Sequence, residues 1–169
     1  MFLDRDGTLN VKAAEGEYIT GPAQLVTLPG AMAAVRRLNE AGRLVILVSN
    51  QRGVARGRMT LADLDAVHDR LAELLAAEHA RLDAVYVCPH DLDECDCRKP
   101  APGMLLRAAR EHPGIDLGRA VIVGDAESDV AAGAAAGTAT IRLASGPVDT
   151  RADRVMPDLD AAVTWILGS

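Results

Sequence analysis

An α/β fold built on a doubly wound, mostly parallel sheet is predicted by three features of the sequence. Short apolar runs of the kind buried on both faces of a parallel sheet, such as 44–48, 84–87 and 120–123, alternate with longer segments of helical periodicity. Each run ends in a polar turn, the position at which open α/β sheets carry their ligand-binding groups. The 169 residues are 49% hydrophobic and 25% charged, so 1–169 is expected to be a single domain with a sizeable core.

Phe2 and Leu3 read as the end of the first strand. A strand usually runs about five or six residues and only Met1 to Leu3 precede Asp4, so either this first strand is short or its true start lies upstream. Residues 11–28 are turn-rich and form a loop reaching over the strand ends, with Tyr18 its one aromatic. Pro29-Gly30 opens a helix with Met32, Val35, Leu38 and Ala41 on one face, and Gly42 stops it. The second strand is 44–48. A capping box, Thr60-Leu61-Ala62-Asp63, then starts a helix to about Glu78 with a core stripe of Leu61, Leu64, Val67, Leu71 and Leu74. Nothing in the pattern gives His68 or His79 a role. A third strand, 84–87, a helix from Pro102-Gly103, a fourth strand at 120–123, a helix at 128–136 and a fifth strand at 138–143 follow. A last helix runs from about Asp158 through Trp165 and Leu167. With about five strands and only short connections, there is no room for a separate cap domain.

A net charge of −6 and a pI near 5.2 argue against a nucleic-acid partner, which would call for a basic surface. No apolar run approaches the roughly 20 residues that span a bilayer, and no charged-then-apolar leader is visible. A cytoplasmic, monomeric protein with a small-molecule partner and no membrane contact is therefore expected. The three cysteines lie within ten residues of one another, which makes a disulfide framework improbable.

Asp4 and Asp6 stand at i and i+2, a spacing that in a strand turns both carboxylates to one side. They repel unless a cation lies between them, and an oxygen-preferring divalent ion such as Mg²⁺ would also hold a phosphate oxygen. Residue type alone leaves a plain acidic turn as an alternative. The run Cys88-Pro89-His90 to Cys95-Asp96-Cys97 is more specific. Cys88, His90, Cys95 and Cys97 match a closed, tetrahedral Cys₃His zinc site, and core burial cannot explain three thiols among Asp91, Asp93, Glu94 and Asp96. The metal would tie down a loop too short and too acidic to fold alone. Directly after it comes Lys99, one of two lysines in the chain against sixteen arginines.

Asp4-x-Asp6-Gly7-Thr8 closely resembles the first motif of the haloacid dehalogenase superfamily of phosphohydrolases. Ser49, Lys99 and the run Gly124-Asp125-Ala126-Glu127-Ser128-Asp129 match its second, third and fourth motifs in order. The resemblance implies a capless, Rossmann-like haloacid dehalogenase core with a small zinc loop forming a partial lid. It further implies Asp4 as nucleophile on phosphorus, Asp6 as acid and base, and Ser49 and Lys99 as phosphate-site groups. Mg²⁺ would be held by Asp4, Asp125 and the backbone carbonyl of Asp6, with Asp129 orienting that shell or capping the next helix.

Asn50-Gln51-Arg52-Gly53-Val54-Ala55-Arg56-Gly57 and Arg98-Lys99-Pro100 are similar to the zinc-containing phosphatases of heptose bisphosphate, which makes Asn50, Gln51, Arg52 and Arg98 the expected substrate contacts. The short acidic zinc loop is more similar to histidinol-phosphate phosphatases, and its carboxylates would suit a cationic substrate. The favoured expectation is a phosphomonoester hydrolase acting on a sugar bisphosphate through an aspartyl phosphate. Histidinol phosphate is the alternative, and a non-catalytic zinc-bearing binding domain is a third.

Overall fold

In a computed structural model of the chain, which describes residues 1–168, the strands β1 (Phe2–Leu3), β2 (Ile46–Asn50), β3 (Ala84–Cys88), β4 (Val121–Gly124), β5 (Ala139–Leu143) and β6 (Arg154–Met156) form one sheet in the order β3-β2-β1-β4-β5-β6. Every pairing is parallel. The helices α1 (Ala31–Glu40), α2 (Leu61–Ala77), α3 (Gly103–Glu111), α4 (Glu127–Ala136) and α5 (Leu159–Gly168) are the connections and the close of the chain.

Strand alternation sorts the core into two layers, because neighbouring side chains leave a strand on opposite faces. Leu3, Leu47, Val123 and Ile141 pack with residues of α1, α2 and α5, including Val35, Leu38, Val67, Leu71 and Val163. Phe2, Ile46, Val48 and Ile122 pack on the other face with Met104, Leu105 and Ala108 of α3 and Ala132 of α4. Fully burying one such side chain contributes about 1.5–3 kcal/mol, so both layers matter to stability. Gly133 lets α4 lie close to the sheet. A Cβ there would stand 2.3 Å from Ile122 Cγ2.

β1 is central yet only two residues long, flanked by β2 and β4, and the Asp4 N–H continues its ladder to the Val123 carbonyl at 3.0 Å. The chain leaves β1 toward β2 and β3, then returns to the other side through β4. The strand order therefore reverses at β1, and the crevice beyond the carboxyl ends of β1, β2 and β4 is where such sheets bind ligands.

Several details differ from the sequence expectation. Among the described residues there are six strands, because β6 adds a short outer strand to β5. It is three residues long, largely exposed and begins with Arg154, so it lacks an apolar signature. β2 starts at Ile46 and Leu44 is exposed, while on α2 Leu61 lies on the surface and Leu75 takes a core position. The Thr60–Asp63 capping box is formed as expected.

Candidate active site and metal centre

A cleft of about 340 Å³ opens at the carboxyl ends of the sheet and is lined by Asp4, Asp6, Ser49, Asn50, Gln51, Arg98, Lys99 and Asp125. Strand alternation does not explain how Asp4 and Asp6 share it, because β1 ends at Leu3. A tight turn brings them together instead, with the amides of Thr8, Leu9 and Asn10 donating to the Arg5 carbonyl. Gly7 has φ +83°, and a Cβ at that position would stand 2.4 Å from Asp125 Oδ2, so this turn needs glycine on both counts.

Lys99 is 3% exposed; its ammonium donates to Asp4 and the Val48 carbonyl and pairs with Asp129. Its Nζ lies 2.8 Å from Asp4 Oδ1, 2.7 Å from the Val48 carbonyl and 2.5 Å from Asp129 Oδ1. The backbone of Lys99 is clamped by the Asn50 amide, which donates to its carbonyl at 2.9 Å and accepts from its N–H at 3.0 Å. One buried ammonium thus faces two carboxylates and cannot neutralise both. Burial pushes the Asp4 carboxyl up to about 6, Lys99 opposes the rise, and Asp129 and Asp6 reinforce it.

The residual negative charge fits a cation. Asp4, Asp125 and Asp129 can each bring an oxygen within 4.8 Å of the others, and Asp125 Oδ1 is buried with no hydrogen-bond partner among the described residues. An all-oxygen set of this kind suits Mg²⁺. The Asp6 carboxylate is not part of it, being held by Arg5, Asn10 and Gln51. Asp129 joins the set, while also accepting from the Ala126 N–H at the start of α4 as the sequence led us to expect. Lys12 Nζ reaches Asp125 Oδ2 at 2.9 Å. Burial opposes its charge, but Asp125 outweighs that and raises its pKa. Both lysines of the chain therefore lie in this cleft, and their scarcity was a signal that could have found Lys12.

Ser49 is buried and receives the Gln51 amide N–H at 2.7 Å. Arg98 lines the cleft, with its Nη1 buried and without a hydrogen-bond partner among the described residues. Arg52 is not among the residues lining it; its guanidinium is taken by Asp91. Tyr18 does line the cleft, packed where a Cβ on Gly53 would meet its ring at 3.0 Å.

Cys88, the last residue of β3, converges with His90, Cys95 and Cys97 at that strand's end. Sγ–Sγ separations are 3.5 Å for Cys88–Cys95 and 3.2 Å for Cys95–Cys97, and His90 Nδ1 lies 3.7 Å from Cys88 Sγ and 3.4 Å from Cys97 Sγ. These resemble the edges of a tetrahedron, roughly 3.8 Å for metal–sulfur bonds of about 2.3 Å, and all three cysteines are free thiols. The cluster can hold a metal. The loop carrying it is no lid, however. Among residues 88–99 only Arg98 and Lys99 line the cleft, and the cover is formed by 12–19. Two of the loop's carboxylates are engaged locally, Asp91 with Arg52 and Arg56, and Glu94 with the Asp91 N–H.

Among the described residues no helix is long and apolar enough to cross a membrane. A family model described as HAD-hydrolase-like matches residues 96–163. The chain is 37% identical to a D-glycero-beta-D-manno-heptose-1,7-bisphosphate 7-phosphatase of Rhodopseudomonas palustris, over 95% of this chain and 92% of that protein. It is 41% identical to a D-glycero-D-manno-heptose-1,7-bisphosphate 7-phosphatase of Thermosynechococcus vestitus, over 98% and 94%. Its fold matches the crystal structure of a D,D-heptose 1,7-bisphosphate phosphatase from B. bronchiseptica complexed with magnesium and phosphate, with a TM-score of 0.90, 36% identity and coverage of 99% and 97%.

Proposed function

Since the chain belongs to the haloacid dehalogenase superfamily and, within it, to the heptose-1,7-bisphosphate 7-phosphatases, we propose that it hydrolyses the C7 phosphate of D-glycero-D-manno-heptose 1,7-bisphosphate through an aspartyl phosphate on Asp4. The observation that carries this reading is the Lys99–Asp4 contact at the cleft floor. A carboxylate nucleophile must approach an anionic phosphate, and a buried ammonium bonded to it offsets the repulsion.

Asp4 attacks phosphorus and the ester P–O bond breaks, with Asp6 giving a proton to the leaving alkoxide. Asp6 then takes a proton from the water that cleaves the Asp4–phosphate bond. Ser49 and Lys99 hold phosphate oxygens. Asp4, Asp125, Asp129 and the Asp6 carbonyl would hold Mg²⁺, whose charge neutralises the phosphate and the carboxylate cluster. Zn²⁺ in the Cys88, His90, Cys95 and Cys97 site would have a structural part, fixing the chain that delivers Arg98 and Lys99. Arg98, with its unpaired Nη1, suits capture of the second phosphate at C1, while Asn50 and Gln51 order the groups around it. A doubly phosphorylated sugar and reduced thiols both belong to the cytoplasm.

None of the loop's four carboxylates lines the cleft, and Asp91 and Glu94 are engaged elsewhere, which weighs against histidinol phosphate. The test is kcat/KM for the two substrates with Mg²⁺. The bisphosphate is expected to win by at least 10²-fold, and Arg98→Ala to cost about 10²-fold on the bisphosphate alone, equivalent to roughly 3 kcal/mol. Faster turnover of histidinol phosphate would overturn the assignment.

A further inference from the structure

Arg5 is a charged residue only 1% exposed, and it stands in sequence between Asp4 and Asp6. Its Nε and Nη2 donate to Asp6 Oδ1 at 3.2 and 3.1 Å, and Nη2 also reaches Asp6 Oδ2 at 3.0 Å. The same nitrogen donates to Gln51 Oε1 at 3.2 Å. On its far side, Nη1 lies 3.3 Å from Nε2 of His68, which α2 delivers. For Arg5 to donate there the imidazole must be neutral with its proton on Nδ1. Burial and the neighbouring guanidinium keep it neutral, pushing the His68 pKa down to about 4. Asn10 and Gln51 complete the grip on Asp6 at 3.0 Å each.

A buried ion pair is a poor way to stabilise a fold, since apolar residues of the same volume usually do as well or better. What a guanidinium fork supplies, and an apolar group cannot, is a fixed plane for the carboxylate. Proton transfer in both half-reactions needs the Asp6 oxygens held to within about 0.5 Å. We propose that Arg5, braced by His68 from α2, is a positioning residue that fixes the Asp6 carboxyl for proton transfer. This rests on Asp6 being the acid and base, as read above.

The test compares kcat/KM for heptose 1,7-bisphosphate and for p-nitrophenyl phosphate in Asp6→Asn, Arg5→Lys, Arg5→Met, His68→Leu and the Arg5→Lys/Asp6→Asn double variant. This parameter covers only steps up to formation of the aspartyl phosphate, where an alkoxide needs a proton and p-nitrophenolate does not. Arg5→Lys should lose about 10²-fold on the sugar phosphate and less than about 3-fold on the aryl ester. His68→Leu should show the same selectivity at about 10-fold. In the double variant Arg5→Lys should cost nothing beyond Asp6→Asn, because the residue acts through Asp6. Should Arg5→Met fail to fold, Arg5→Lys and His68→Leu decide. Equal losses on both substrates, no loss, or additive losses in the double variant would overturn the proposal while a leaving-group-selective Asp6→Asn leaves the acid and base assignment standing. If Asp6→Asn itself is unselective, that assignment falls and the positioning role with it.

Discussion

Replacing Lys99 by Met removes a buried ammonium while keeping most of the side-chain volume, and leaves Asp4 and Asp129 facing each other without their shared counter-charge. Breaking a buried pair from one side costs about 3–5 kcal/mol, which for a chain of this size is a fall in Tm on the order of 10 °C. The loss should depend on pH. In the wild type the Asp4 carboxyl already titrates at about 6, above its ordinary 3.8, and without Lys99 it moves higher. A group whose folded pKa lies above its unfolded value binds more protons when folded, so its contribution to stability falls as pH rises through that interval. Lys99→Met should therefore be only mildly destabilised at pH 5, where Asp4 carries a proton, and fully destabilised at pH 8. Mg²⁺ at about a hundred times its Kd should return roughly 2.7 kcal/mol at pH 8 by binding the folded state. Urea unfolding of both proteins at pH 5 and 8, with EDTA and with Mg²⁺, measures each quantity. A penalty independent of pH, or one below about 1 kcal/mol at pH 8, would refute the view that one ammonium holds two buried carboxylates together.

His68 should act in the opposite sense. Its folded pKa of about 4 lies below the ordinary 6.5, so between those values the unfolded chain binds the extra proton and stability is lost as pH falls, by up to roughly 3 kcal/mol. His68→Gln should flatten this acid limb in urea titrations, and identical pH slopes for the two proteins would count against it. Gly7→Ala forces a side chain into a left-handed conformation and toward Asp125; a loss of about 1–2 kcal/mol and at least tenfold weaker Mg²⁺ binding by calorimetry are expected, and unchanged binding would contradict the packing argument. Cys95→Ser should lower both zinc content by elemental analysis and Tm, since the ligands are not assembled in the unfolded chain. Purified wild-type protein that holds no metal at the cysteine cluster would contradict the zinc assignment.

Much of this was legible in the sequence, for identifiable physical reasons. Buried strands leave apolar runs, so β2, β3, β4 and β5 could be placed within a few residues. Metal ligands brought together by a short loop keep a recognisable spacing, as Cys88 to Cys97 do. Lys99 stood out because a chain otherwise built with arginine had spent a lysine there. Groups joined only by tertiary structure were harder to see. Asp129 was expected to orient the metal shell or cap the next helix; it does cap α4, but its contact to Lys99 depends on α4 lying against the sheet. His68 was given no role, although it stands one turn from Leu64 on α2, and its partner is 63 positions away. Arg52 carried a substrate expectation from its neighbours, whereas the fold gives it Asp91. β6 was missed because an edge strand needs no apolar alternation.

Asp4, held by Lys99 in the cleft, is the residue expected to carry the phosphoryl group. Rapid acid quench of enzyme mixed with heptose 1,7-bisphosphate and Mg²⁺, followed by peptide mass spectrometry, tests it directly. A phosphorylated N-terminal peptide with the phosphate on Asp4 is expected, appearing before free phosphate and absent in Asp4→Asn. Phosphate released with no phosphorylated peptide, or with the group on another residue, would contradict it.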